Sequence, residues 1–376
     1  MSKFEVPVVE YTLENHPNAD TLSIAHIKGW QCVVKTSDFE SEFVKLGVYV
    51  PLDTIAEPDH PLLGFLEGKK VKTIKLRKVL SQGVLLPFSA VSRHLGYEPR
   101  LGDDLAEALK LKKYEAPLKT CALIKGSSQN LFLPRPDWFH EFTDIENWKN
   151  YPFVIKDDEP VIITEKIHGT NAVFGLSNTN EFFVGSHHKV LRLEPYVSNN
   201  TKIRWSKRNI LRKLIDSVLR RKPELTVPPE NVWTNVANRL DMKNVLLSLK
   251  QWFVGCETIV LYGEIIGQGI QDLTYGLSGV DLYVFGIKVD GQYIDPRIVQ
   301  RSVENAGLKF VPVLYEGLFN QDCLKLADGK TTLNAEHVRE GIVIEALVNR
   351  IHPMLGRVIL KRVSDDYLMR KNGTDN

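Results

Sequence analysis

The sequence predicts an α+β protein in two parts, a small all-β barrel followed by a larger domain of mixed strands and helices. Three observations predict it. The 376 residues exceed what a single hydrophobic core usually holds. Residues 1–95 read as short β-branched and aromatic segments separated by turn signals. From 151 to 376, β-rich stretches at 161–164, 181–185, 258–264, 281–289, 341–346 and 357–363 are interrupted by one long helical insert at about 203–253. A polar, helix-prone connector over 96–150, punctuated by Pro117, Pro134 and Pro136, joins the two parts.

In the first part, strands are expected near 22–27, 32–35, 48–51 and 71–76. They are separated by His16-Pro17-Asn18-Ala19-Asp20, Lys28-Gly29-Trp30, Ala56-Glu57-Pro58-Asp59 and Glu67-Gly68. Roughly five strands at this spacing suit a small Greek-key barrel. Over 69–78, lysine and arginine alternate with Val71, Thr73, Ile74 and Leu76, which makes one basic strand face. That face suits either simple solvation or contact with nucleic acid.

Composition excludes several classes. Cys32, Cys121, Cys256 and Cys323 lie far apart with no C-x-x-C pair, which argues against a structural zinc site and a disulfide framework. An intracellular protein, cytoplasmic or nuclear and not secreted, is expected. Met1-Ser2-Lys3-Phe4-Glu5 has no apolar h-region, and no apolar run reaches membrane-spanning length. The formal net charge of +2 announces no polyanionic partner, but its distribution does. Nine Lys or Arg residues fall between Lys202 and Lys222 against one acid, Asp216. Ile203, Ile210, Leu211, Leu214, Ile215, Val218 and Leu219 recur there at helical spacing. The basic face, including Arg204, Lys207, Arg208, Arg212 and Lys213, is a candidate phosphate contact, since a merely solvated face usually mixes its charges.

The chemistry is expected at Lys166. Residues 161–164, Val-Ile-Ile-Thr, read as a buried strand that delivers the lysine to the floor of a site. Gly169 allows a tight turn and close approach of a ligand. A lysine among apolar neighbours can serve as a nucleophile, although any surface lysine can also follow a strand. Further elements carry the argument. Leu261-Tyr262-Gly263-Glu264-Ile265-Ile266-Gly267 sets a carboxylate beside glycines at a strand end. Tyr283, Phe285 and Ile287 alternate on one face of a strand. Glu340 opens one strand, Lys361 ends another, and Phe182–Gly185 runs into the basic turn Ser186-His187-His188-Lys189. Attack of a lysine on the α-phosphorus of ATP needs a free amine, a metal on hard oxygen ligands and a second cation on the phosphate. Adenine needs an aromatic face and its ribose an acceptor.

The ordered set Glu165-Lys166-Ile167-His168-Gly169-Thr170-Asn171, Tyr262-Gly263-Glu264, Tyr283-Val284-Phe285, Glu340-Gly341-Ile342-Val343 and Lys361 resembles the ATP-dependent RNA ligases. Glu165–Asn171, Gly267-Gln268-Gly269-Ile270-Gln271 and 282–285 resemble the nick-sealing phage-type enzymes. The leading barrel and Phe142-Thr143-Asp144-Ile145-Glu146-Asn147-Trp148-Lys149-Asn150 resemble the Naegleria/Deinococcus-type RNA ligases, which carry an OB module ahead of the catalytic domain.

The resemblance implies an OB-like barrel and an ATP-grasp-like covalent nucleotidyltransferase domain of antiparallel sheets with flanking helices. It implies ATP, with Mg2+ or Mn2+, and RNA, as a nicked duplex or as ends, with the enzyme acting as a monomer away from membranes. Lys166 would carry AMP, Glu165 would read the adenine amino group, and Ile167 would lie on the nucleotide with it. Phe285 would stack on the base, Glu264 accept from the ribose, and Asn171 touch AMP or the acceptor end. Glu340 would organise the metal and Lys361 would hold the α-phosphate. His168 would serve the later steps, and His187 and Lys189 would be candidate phosphate contacts.

The sequence departs from the family at four points. His168 stands where many relatives have aspartate, Val363 where nick-sealing relatives often have a second lysine, Gly286 after Phe285 in place of aspartate, and His187 in place of arginine. The alternatives are a DNA ligase or mRNA guanylyltransferase, or a non-catalytic OB-type RNA-binding protein.

Overall fold

A computed structural model describes residues 4–39, 45–114, 131–197, 225–334, 336–370 and 373–375. The chain divides into two compact units. One joins Met1–Pro117, Thr143–Ile167 and Val311–Asn376; the other joins Leu118–Phe142 and His168–Phe310.

The first unit begins with two three-stranded antiparallel sheets. One orders Val8–Glu10, Leu46–Val50 and Val84–Pro87; the other orders Thr12–Asn15, Leu22–Ile27 and Trp30–Lys35. Residues 69–78 depart from the single strand expected. Val71 is buried and tied to Thr54 by its backbone N–H at 2.8 Å. Beyond it the chain makes a hairpin, Ile74–Leu76 with Val79–Ser81. Arg77 and Lys78, with φ of 47° and 73°, form its two-residue turn, a twist that suits paired strands. Lys72, Lys75, Arg77 and Lys78 are left exposed around it.

The same unit contains a five-stranded sheet ordered Glu146–Asn147, Ile359–Val363, Gly341–Ala346, Pro160–Lys166 and Val313–Leu318, antiparallel except for the first pair. Its two faces differ sharply. Val161, Ile163, Ile342, Ile344 and Leu360 pack into a core with Val154, Ile155 and Phe319. Alternation therefore sends Ile162, Thr164, Lys166, Val343 and Lys361 to the opposite face.

The second unit is built on an eight-stranded sheet. Seven strands run in order Phe132–Leu133, Val190–Leu191, Phe182–Gly185, Thr170–Leu176, Ile259–Gly267, Val280–Val289 and Gln292–Tyr293; Lys309–Phe310 pairs in parallel beside Val280–Val289. Pro296–Asn305 flanks it, opening on a proline whose missing N–H costs nothing in a first turn.

The helical insert expected at 203–253 is described from 225 onward. There it forms two helices, Val232–Arg239 and Met242–Trp252, and not one continuous helix. Asn231 caps the first through a capping box with Thr234, and Asp241, with φ of 47°, breaks the chain between them. Arg204, Lys207, Arg208, Arg212 and Lys213 lie outside the described residues.

Candidate active site

In the first unit, strand register sets the site. Lys166 lies across from Gly341, and Gly341 across from Val363; one step along, Thr164, Val343 and Lys361 form the next row on the same face. Lys166 donates to Oε1 of Glu340, a carboxylate only 4% exposed at the mouth of its strand. Lys361 is buried, and burial pushes its pKa down; the charges of Lys166 and Lys113 act in the same direction, opposed by Asp375 and Glu340. Its ammonium donates to the main-chain carbonyl of Asp375. That residue is itself held by Asp53, which accepts from its N–H at 2.9 Å, and by Asn147, which donates to its carboxylate at 2.7 Å. Val363 is fully buried in the Lys166 row, so the position of a second lysine is filled by hydrocarbon. Arg362 points to the other face and is bound to Asp365 and to the Val363 carbonyl.

The Glu165 carboxylate is anchored through one oxygen, while the other, Oε1, is buried and makes no hydrogen bond among the described residues. It sits on the core face, opposite Lys166, because successive strand residues alternate. Its Oε2 accepts from the N–H of Thr332 at 2.9 Å and from its hydroxyl at 2.7 Å, with the Arg339 guanidinium 3.4 Å away. The carboxylate thus ties the 330–340 segment to the strand that carries Lys166. Ile167, the residue after that strand, is buried.

A second set of groups gathers on one face of the other unit's sheet. Asn171, Glu264 and Tyr283 form a cross-strand row. Opposite Tyr262 and Gly263 the register slips, leaving Phe285 as the extra residue of a bulge. The bulge keeps Tyr283 and Phe285 half-buried on the Glu264 face but turns Ile287 onto the other, where it is fully buried. The expected sharing of one face by all three residues therefore fails at Ile287. Phe285 is braced edge-on by Phe142, 4.8 Å between ring centres at 75°. Phe142 also presses on Gly286, where a Cβ would come within 2.8 Å of its ring, which accounts for the missing aspartate. The side-chain carbonyl oxygen of Asn171 is buried and makes no hydrogen bond among the described residues.

His168 is held at two points. Its N–H donates to the Tyr275 hydroxyl at 2.7 Å, and its Nε2 lies 3.0 Å from the Asp272 carboxylate. Gly169 is required beside it. An alanine Cβ would press on the Ile265 carbonyl and come within 2.8 Å of Ile266 and 2.9 Å of Glu264. The turn Ser186–Lys189 places His187 half-buried and Lys189 exposed, the latter with its ammonium 4.5 Å over the Phe132 ring.

These groups match what nucleotidyl transfer needs: an amine beside a buried carboxylate and a second buried cation, and separately a braced aromatic ring with carboxylate and amide acceptors. A family model described as RNA ligase matches residues 159–363, more than half of the chain. The chain belongs to the RNA ligase family. A model described as an OB-fold domain matches residues 9–88 of this RNA ligase, the region of the two three-stranded sheets. No curated protein matches the chain. Among solved structures, it is similar to a mutant of the Naegleria gruberi RNA ligase with ATP and Mn, at 24% identity and TM-score 0.72, covering 97% of this chain and 98% of that one. It is also similar to another mutant of that ligase with AMP and Mn, and to the Naegleria gruberi RNA ligase with PPi, both at 24% identity, TM-score 0.70 and 97% of each chain. These likenesses bear out the OB-plus-ligase fold.

Sequence reasoning missed Asp272, Tyr275, Arg339, Thr332 and Asp375. Asp272 had a signal, since it directly follows the quoted Gly267–Gln271 run. The others are brought to their partners only by long-range pairing.

Proposed function

We propose that this RNA ligase uses ATP and a divalent metal to join 5′-phosphate and 3′-hydroxyl RNA ends through a Lys166–AMP intermediate, acting as a monomer inside the cell. The observation that carries the reading is the contact of Lys166 with Glu340 together with Lys361 on the Lys166 face: one attacking amine, one carboxylate and one buried cation for the phosphate. The ATP and Mn of the Naegleria complexes are consistent with it.

The donor set suits the proposed metal, because the Glu340 carboxylate is a hard oxygen ligand almost sealed from water. Bound there, Mg2+ or Mn2+ would screen phosphate charge and draw the carboxylate's charge from Lys166. The free amine of Lys166 attacks the α-phosphorus; the P–N bond forms, the bond to pyrophosphate breaks, and an amine proton is lost to solvent. Lys361 leaves the Asp375 carbonyl for the α-phosphate and stabilises its charge. A 5′-phosphate oxygen then attacks the adenylate, the P–N bond breaks and the amine is released. Finally a 3′-hydroxyl gives up its proton, attacks the 5′-phosphorus and expels AMP. Phe285 holds the base, Glu264 the ribose, and His168, oriented by Asp272, serves the RNA steps. The exposed Lys72, Lys75, Arg77 and Lys78 hairpin, with the basic run at 202–222, supports RNA contact through phosphates. No helix of the described residues is long and apolar enough to cross a membrane.

The test is intact-mass measurement after incubation with ATP and Mn2+ in the presence of pyrophosphatase. One adenylate on the wild type, absent from Lys166→Ala, is expected. An adduct that persists in that variant overturns the assignment.

A further inference from the structure

We propose that Glu141, His187 and His188 form a binding site for a Zn2+-type divalent ion, separate from the Glu340 carboxylate and placed on the turn expected to meet RNA phosphates. Their ligand atoms all lie within 4.8 Å of one another. His188 Nδ1 is 3.4 Å from one oxygen of Glu141, and His187 Nε2 is 3.9 Å from the other. Zinc bound tetrahedrally at its usual nitrogen and oxygen distances puts neighbouring ligand atoms roughly 3.4 Å apart, so only small side-chain movements close the site. Two imidazoles and one carboxylate select Zn2+, Co2+ or Ni2+ over Mg2+, which prefers oxygen alone.

The backbone that carries the histidines is preformed. The Ser186 N–H donates to the Lys189 carbonyl at 2.9 Å, which closes the turn. Gly185 lets that carbonyl approach, since a Cβ there would come within 2.7 Å of it. Arg135 clamps the turn from outside, donating to the His187 carbonyl at 2.9 Å, the Ser186 carbonyl at 3.3 Å and the Phe139 carbonyl at 2.9 Å. Its Nε stands 3.8 Å from Glu141, an ion-pair distance beyond hydrogen bonding, since its hydrogen bonds go to the carbonyls. The two imidazoles stack edge to face, 4.3 Å between centres, and each turns a nitrogen toward the Glu141 carboxylate.

Three protein ligands leave a coordination position open, and the exposure of His188 and Glu141 opens it to solvent. A phosphate oxygen fits that position. The ion would then supply, at His187, the positive charge that relatives provide there with arginine; this part rests on the RNA-ligase reading, whereas metal binding does not.

The test titrates the full chain with Zn2+ against a chromophoric chelator, in wild type, Glu141→Gln and His188→Asn. One tight equivalent in the wild type, weakened at least tenfold in each variant, is expected. A Co2+-loaded wild type should give the strong visible bands of four-coordinate nitrogen and oxygen ligation, absent from His188→Asn. Equal zinc affinity in all three proteins overturns the site. One equivalent of Zn2+ should also tighten binding of a 5′-phosphorylated RNA to the wild type and not to His188→Asn. Zinc binding without that gain overturns the phosphate role, and neither result depends on whether Lys166 accepts AMP.

Discussion

Replacing Lys149 with methionine should alter the pH dependence of stability in a calculable way. Lys149 is 6% exposed and donates to the Gln82 side chain, with Asp365 3.6 Å away and the Trp30 ring 4.9 Å from its ammonium. Burial pushes its pKa from 10.5 down to about 8; Arg362 adds to that, and Asp365 and Asp375 only partly offset it. The folded protein therefore releases this proton near pH 8, while the unfolded chain keeps it to pH 10.5. Between those values unfolding takes up a proton, so stability contributed by this group rises with pH. Below pH 8 the charged amine destabilises the fold by roughly 3 kcal/mol, the 2.5-unit difference taken at 1.36 kcal/mol each. Methionine keeps the length and apolar stem but carries no proton. From pH 7 to pH 9.5 the wild type should gain about 2 kcal/mol relative to Lys149→Met. Urea unfolding followed by tryptophan fluorescence at the two pH values reads the difference, and Trp30 reports from the site itself. A gap between the two proteins that stays constant with pH would refute the buried, strained ammonium.

Three further outcomes are expected. Glu340→Gln should fold normally yet form the lysine adenylate at least about a hundredfold more slowly, as measured by label transfer from ATP, because the amine loses its carboxylate and the metal its proposed ligand. Asp272→Asn should leave that first step within about twofold of wild type but slow sealing of a pre-adenylylated RNA by about ten- to a hundredfold, with a shifted pH–rate profile; equal slowing of both steps would make Asp272 merely structural. Gly169→Ala should lower stability by roughly 1–3 kcal/mol in chemical denaturation, since the new methyl meets backbone at Ile265 and pushes the Glu264 side chain.

The legible parts of this molecule were those written in local chemistry. Turn residues and β-branched runs marked the strands at 22–27 and 161–164, and the second of these ends on Lys166, ahead of the turn at Gly169. Features created by pairing between distant segments left no such trace. The bulge that separates Ile287 from Tyr283 and Phe285 depends on how that strand registers with Tyr262 and Gly263. Nor did the sequence show that Arg77 and Lys78 would turn a supposed single strand into a hairpin, because neither is a favoured left-handed residue.

The same logic separates two neighbouring residues, Glu165 and Lys166. Glu165 and Lys166 are adjacent in sequence, which invites assigning both side chains to one nucleotide. On a strand buried against a core, adjacency means opposite faces. Lys166 therefore joins Lys361 two strands away, whereas Glu165 joins Arg339 and Thr332 beneath the sheet. The motif thus sets Lys166 above the sheet and an anchor below it, and a substitution at Glu165 is expected to loosen the 330–340 segment that leads into Glu340.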